Sequence, residues 1–134
     1  MKVSVFGNPD LKEDSLVVKL MPELKRRLLE VEFKVEDPSE GLKPPKKGLW
    51  VILDVVKGID GVKVFDDVDK LVDERRVSLH DYDVAMELKL LNKLGKIKKL
   101  KIVGVEMGME EKKALEGIIK VLGKIIPRQP GRKY

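Results

Sequence analysis

The chain has 134 residues, 43% of them hydrophobic, and it contains no cysteine. This length fits one domain with one core, and the lack of cysteine excludes a disulfide scaffold, a thiolate zinc site and a cysteine nucleophile. Lysine and arginine number 28 against 23 acidic residues, a formal net charge of +5. The longest apolar runs, such as Leu49 to Leu53, are too short to span a bilayer. No signal-like segment precedes the first strand-like segment, so we expect a soluble cytoplasmic protein with no membrane partner.

The charged residues, 38% of the chain, are of both signs and interspersed. We interpret them as a solubilising surface, and abundant lysine and glutamate without cysteine is typical of hyperthermophile proteins. A basic balance also favours nucleic acid, but only 4% of residues are aromatic and can stack on bases. A small nucleic-acid-binding domain is therefore the alternative. The basic residues that favour it are Lys43, Lys46, Lys47, Arg128, Arg132 and Lys133.

The chain begins with a predicted strand and a predicted helix. Lys2 to Phe6 has the apolar spacing of a short strand. Leucines then recur at helical spacing, at Leu16, Leu20, Leu24 and Leu28. Asp14 or Ser15 can cap this helix at its N-terminus. Pro22 falls inside the pattern, so we expect the helix to kink or restart there.

Three more strands are predicted before the next helix. Val31 to Val35 alternates apolar and charged residues, which is typical of an exposed edge strand. Asp37 to Gly48 is rich in proline and glycine and predicts a mobile loop. Leu49 to Leu53 is continuously apolar, as in a strand buried on both faces. Val62 to Phe65 is the third strand, and the turn before it carries two glycines, Gly58 and Gly61.

The last third of the chain predicts a helix, a strand and a helix. Asp81 or Asp83 opens the first of these helices and Gly95 ends it. Its apolar positions are Val84, Leu88, Leu91 and Leu94. Leu100 to Val105 is another buried strand. The final helix has its first turn at Met109 to Lys112, and its apolar positions are Ala114, Leu115, Ile118, Ile119, Leu122 and Ile125.

Helices that alternate with buried strands predict a single-domain, three-layer α/β sandwich with a mostly parallel, mixed central sheet and helices on both faces. We assign residues 1–126 to this domain and 127–134 to a flexible basic tail. Ligands of such sheets bind beyond the carboxyl ends of the strands. That rule selects the loop Gly7 to Asp14, the region from Asp54 onwards and the residues around the end of the strand at Val105.

Carboxylates and one histidine follow the predicted strands. The loop after the first strand carries Asp10, Glu13 and Asp14, which would repel a phosphate and attract a cation. Asp54 follows a buried strand, where a carboxylate is costly unless it is paired, capping or bound to a ligand. The simpler explanations are an N-cap for Asp14 and a turn residue for Asp54. His80 is the single histidine and precedes a predicted helix. Two carboxylates and an imidazole suit nickel or zinc.

Three motifs in order resemble the hydrogenase maturation protease family. They are Phe6-Gly7-Asn8-Pro9 with Glu13-Asp14, then Ile52-Leu53-Asp54 with Gly58, then Ser78-Leu79-His80-Asp81. The Gly-Asn turn with its acidic pair is the most specific of the three. The likeness covers Lys2 to about Ile126. These endopeptidases trim the large subunit of nickel–iron hydrogenases, so the resemblance implies that activity for this chain.

The resemblance also implies a set of site residues. Asp14, Asp54 and His80 take the positions that bind nickel while the metal sits in the large-subunit precursor. Glu13 is the fallback for Asp14, and Asn8 belongs to the same turn. Asp14 or Asp54 would act as general base, and the substrate would bring the nickel, with no organic cofactor.

The chain departs from that family at the predicted start of the first helix. Ser15, Leu16 and Val17 replace the small residues and glycine that usually follow the acidic pair. A non-proteolytic relative that binds a metal or a partner is therefore a second alternative.

Overall fold

The computed structural model describes residues 1–6, 15–36, 42–46, 48–66, 79–97 and 99–126, with the backbone alone for 79–85. In chain order the elements are β1 (Lys2–Phe6), α1 (Leu16–Arg27), β2 (Glu32–Glu36), β3 (Leu49–Val56), β4 (Val62–Phe65), α2 (Leu79–Lys93), β5 (Lys99–Glu106) and α3 (Glu111–Ile125). The predicted tail, 127–134, lies outside the described residues, as does half of the predicted loop 37–48. None of the described helices is long and apolar enough to span a bilayer.

The strands form one sheet with the order β2-β1-β3-β5-β4. All neighbours are parallel except β4, which pairs antiparallel with β5. The three predicted central strands are therefore confirmed in the middle of the sheet. The alternating segment predicted as an edge strand is also confirmed, since β2 lies at one edge.

Successive residues of the central strands pack into two different cores, because side chains alternate between the two faces of a strand. One core joins the sheet to α1 and α3, and its strand members are Val3, Val5, Phe33, Val51, Leu53, Val55, Val103 and Val105. The other lies on the α2 face and contains Phe6, Ile52, Val56, Ile102 and Leu88 of α2. Helices cover both faces, so the three-layer α/β sandwich is confirmed.

Helix α1 is continuous through Pro22, so the predicted restart does not occur. Pro22 lies on the exposed side of the helix, between the buried residues Met21 and Leu24. Core packing on both sides of the proline holds the helix together where one backbone hydrogen bond is missing. Ser15 occupies the N-cap position.

Helix α2 begins at Leu79, before either predicted start, so that prediction was wrong. Asp81 falls within the first turn, where a carboxylate is favoured by the helix dipole and does not have to be the cap. The predicted end at Gly95 is confirmed. Gly95 has a φ of 70°, and the Lys96 N–H donates to the Leu91 carbonyl at 2.9 Å. This closes the helix with a left-handed glycine cap.

Helix α3 begins at Glu111, two residues after the predicted first turn starts. Gly108 has a φ of 78°, and the Met109 N–H donates to the Glu106 carbonyl at 3.2 Å. This turn between β5 and α3 contains Met109, and Glu110 is the N-cap, so the helix starts later than predicted. The predicted glycine turn before β4 is confirmed, with φ of 88° at Gly58 and 69° at Gly61.

One buried side-chain hydrogen bond joins β1 to β3. The Trp50 indole N–H donates to the Ser4 hydroxyl at 3.0 Å, and both residues are buried on the α2 face. Replacing Ser4 by alanine leaves the indole N–H buried without an acceptor. We expect Ser4→Ala to lower the free energy of unfolding by about 1–3 kcal/mol, measured by urea denaturation. Trp50 is the single tryptophan, so its fluorescence reports this site directly.

The matched control is the double variant Ser4→Ala with Trp50→Phe, followed by circular dichroism. Because the second substitution removes the orphaned donor, the double variant should lose less stability than the sum of the single variants. Strict additivity of the two losses would contradict the inferred coupling.

Candidate active site

The carboxyl edge of the sheet has a step beside Asp54. β1 and β3 pair as far as Val5 with Leu53, whereas β3 and β5 pair as far as Val56 with Glu106. Asp54 is thus the first residue of β3 beyond its paired positions with β1. The predicted strand end at Leu53 was wrong, because pairing with β5 extends β3 by three residues. Asp54 lies within the strand, which overturns its simpler explanation as a turn residue.

The Asp54 side chain belongs to the α2 face of the sheet and is half-buried. Alternation along β3 places it with Ile52 and Val56, both in the core on that face. Its register partner on β5 is Gly104. A Cβ at Gly104 would lie 2.9 Å from Val56 Cγ2 and 3.2 Å from Phe65 Cε2. Apolar side chains therefore fill the space over β5, beside Asp54.

His80 is the second residue of α2, not a loop residue as predicted. Its side chain lies outside the described part of the structure. Helix α2 packs on the same sheet face as Asp54 and leads through a short turn into the amino end of β5. A helix of 15 residues is about 22 Å long, so one that runs back along the sheet starts near the carboxyl edge. The topology therefore predicts that His80 lies toward the edge that carries Asp54.

Asp14, Glu13 and Asn8 lie outside the described residues. The first described residue after them is Ser15, which takes the N-cap position that was the simpler explanation for Asp14. Leu16 and Val17 depart from the family pattern, but both are buried in the core with the sheet. Their side chains therefore pack inward at the start of α1.

Glu36 is a carboxylate at the same edge that sequence reasoning missed. It ends β2 and pairs in register with Phe6, the last residue of β1. Only 12% of its side chain is exposed, and Lys2 Nζ lies 3.9 Å from its Oε1. That oxygen is buried and accepts no hydrogen bond. The available signal was its position at the end of the alternating strand.

Glu36 and Asp54 face the same side of the sheet with β1 between them. Phe6, the register partner of Glu36, shares a core with Ile52 and Val56, the residues on either side of Asp54 on its face of β3. Neighbouring strands are about 4.8 Å apart, so the backbones of the two carboxylates are about 10 Å apart. Both therefore border the end of β1, where the predicted loop with Asp14 begins.

No three Asp, Glu, His or Cys side chains in the described part of the chain are placed to hold a metal ion. Of the predicted triad, only Asp54 has a described side chain. The convergence of Asp14, Asp54 and His80 on one ion stays a prediction.

Comparison with solved structures finds the same fold in two proteins. The hydrogenase maturating endopeptidase HybD from E. coli aligns with a TM-score of 0.61 and 20% identity over 93% of this chain and 94% of that chain. An uncharacterized protein from Wolinella succinogenes aligns with a TM-score of 0.56 and 15% identity over 92% of each chain. No protein-family profile and no curated protein sequence matches this chain. The resemblance predicted from the sequence is thus confirmed as a likeness of fold over nearly the whole chain.

Proposed function

We propose that this protein is an endopeptidase that removes the C-terminal extension of a nickel–iron hydrogenase large-subunit precursor after nickel insertion. The observation that carries the proposal is the fold shared with a hydrogenase maturating endopeptidase along 93% of the chain. The three sequence motifs support it independently, since they were recognised without the structure. The half-buried Asp54 adds a carboxylate at the sheet edge where ligands of this architecture bind.

Each proposed site residue has a chemical role. Asp14, Asp54 and His80 bind the nickel that the precursor carries, because carboxylate and imidazole groups are suitable ligands for that ion. Glu13 and Asn8 adjoin this site from the loop before α1. Asp54 or Asp14 takes a proton from the attacking water as general base. Nickel held by these residues would supply a Lewis acid for the scissile carbonyl, or it would serve for recognition alone.

The ligand set makes metal loading a condition for cleavage. Two carboxylates and one imidazole fill only three positions around a divalent ion, and the remaining ligands would come from the precursor. A precursor without nickel then leaves the site incomplete. Cleavage before nickel insertion would produce a processed large subunit without its metal. The dependence of cleavage on bound nickel prevents that outcome.

We expect the protein to shorten a nickel-loaded precursor and to leave the same precursor intact before nickel insertion. The reason is that the substrate's metal completes the binding site. The measurement is precursor length on a denaturing gel over time, with purified protein and both forms of the precursor at equal concentration. Equal cutting of both forms would contradict metal-dependent recognition.

A further arm of this assay separates the alternatives. If the wild-type protein binds the loaded precursor and never cuts it, the alternative of a non-proteolytic relative becomes the better interpretation of its function. Nucleic-acid binding that weakens steeply with added salt would instead favour the small basic domain. Of the six basic residues that favour that alternative, the structure describes Lys43 and Lys46, and both are exposed.

Replacing the side chain of any one proposed site residue should strongly slow cleavage without unfolding the chain. Asp54→Asn keeps the side-chain size and removes the charge, and Asp14→Asn does the same before α1. We expect either variant to slow cleavage about 100-fold or more. His80→Ala should lower precursor affinity and cleavage together.

The matched control is Asp60→Asn, since Asp60 is an exposed aspartate in the turn after β3. Wild-type rates for Asp54→Asn, with melting temperatures unchanged, would exclude Asp54 from the site.

Glu36 is proposed as a further carboxylate of the site, because its buried oxygen accepts no hydrogen bond. We expect Glu36→Gln to slow cleavage of the loaded precursor about tenfold or more, while thermal stability is kept. Glu32→Gln is the matched control, since Glu32 lies on the same strand and face and is exposed. If Glu36→Gln cuts as fast as Glu32→Gln, Glu36 serves only its ion pair with Lys2.

A further inference from the structure

Helix α2 carries a row of exposed apolar side chains on the side away from the sheet. Met86, Leu90 and Leu94 are 45%, 56% and 61% exposed. Their spacing of four residues aligns them along one helical ridge about 12 Å long. The Leu94 N–H donates to the Leu90 carbonyl at 3.0 Å, so helical geometry holds to the end of the row. We call these three residues the α2 stripe.

The α2 stripe differs from the other exposed apolar residues of the described chain. Those are Met1, Leu29, Val35 and Val64. They lie on separate elements, and single exposed apolar residues need no explanation. The core side of α2 is already occupied by Leu88, so the α2 stripe does not serve internal packing. A continuous apolar ridge next to a packed helix face is typical of an interaction surface.

The α2 stripe lies in a strongly basic stretch. Between Glu87 and Glu106 the sequence holds six lysines and no acidic residue. Lys93 is exposed and lies one turn from Leu90, and Lys96 is exposed in the turn after Leu94. The Glu87 side chain is partly buried, and its Oε1 accepts a hydrogen bond from the Leu42 N–H at 3.3 Å. Among the side chains that the structure describes, the exposed charges beside the C-terminal half of the stripe, Lys93 and Lys96, are therefore positive.

We propose that the α2 stripe docks an acidic amphipathic helix of a partner protein. A ridge of residues spaced by four packs into the groove between ridges of a second helix. Apolar residues of the partner would cover the stripe, and its glutamates or aspartates would pair with Lys93 and Lys96. In such helix–helix docking, charge sets the orientation and the choice of partner.

Two other occupants fit this surface less well. A second copy of the chain packed α2 against α2 would bring two sets of lysines together, and like charges oppose that contact. Helices that lie in a bilayer surface carry a wide apolar face, often with aromatic residues. The α2 stripe is one residue wide and has no aromatic member, and α2 is already held against the sheet. The charge and the narrow ridge therefore favour an acidic helix.

This inference does not rest on the proposed function, because binding is measured without cleavage. The probe is a synthetic helical peptide, blocked at both ends, with leucines spaced by four residues and flanking glutamates. The control peptide has glutamine at every glutamate position. Titration into protein labelled at its leucine and methionine methyl groups, followed by NMR, should shift the signals of Met86, Leu90 and Leu94. We expect binding of the acidic peptide to weaken with added salt.

Matched variants locate the contact. We expect Leu90→Ser to weaken peptide binding about tenfold, as for a central apolar anchor. Leu29→Ser is its control, because Leu29 is 82% exposed at the end of α1. Lys93→Gln should weaken binding several-fold and reduce its salt dependence. Lys25→Gln, an exposed lysine of α1, should change neither. Melting temperatures of all four variants establish that each one is folded.

Four results would overturn the proposal. One is equal binding of the glutamine peptide, and another is equal weakening by Leu29→Ser and Leu90→Ser. A third is no peptide binding together with Leu90-dependent binding to phosphatidylglycerol vesicles or to single-stranded RNA, which would assign the surface to a membrane or to nucleic acid. The fourth is self-association in analytical ultracentrifugation that Leu90→Ser abolishes, which would assign it to a second copy.

Discussion

Burial of the central strands on both faces is the constraint on which the rest of this structure depends. In β3, Val51 and Leu53 pack toward α1 and α3, and Ile52 packs toward α2. The middle of such a strand has little room for a charged side chain, because both faces are covered. The connections from β1 to β2 and from β3 to β5 carry α1 and α2, which cover opposite faces of the sheet. The charged side chains of β3 and β5 accordingly lie toward the ends of these strands, as Asp54 and Lys101 do.

The candidate active site follows from that confinement. β1 ends beside β3 where β3 continues with β5, which leaves a step at the carboxyl edge. Asp54 and Glu36 lie on the two strands that flank β1 at this step. Charges are costly to bury without partners, and Glu36 keeps a buried oxygen without a hydrogen bond. This unfavourable burial of a carboxylate oxygen occurs at the edge where ligands of doubly wound sheets bind.

Helix α2 connects the two functional proposals. Its inner side anchors the helix through Leu88, its first turn contains His80, and its outer side carries the α2 stripe. A partner helix docked on the stripe would lie along the helix that begins with a candidate nickel ligand. Binding there would orient a large substrate without any contact with the reacting atoms. The two proposals thus concern the first turn of α2 and its outer side.

The sequence by itself determined the layer architecture, the three central strands, the edge position of β2 and the glycine cap that ends α2. These features depend on local apolar periodicity and on glycine conformation, which can be read residue by residue. It also pointed to Asp54, because a carboxylate beside an apolar run is conspicuous. Only the tertiary structure decided that β3 continues past Asp54, since that extension depends on pairing with β5. Likewise, the burial of Glu36 and the exposure of the α2 stripe depend on neighbours distant in the chain, which no local pattern records.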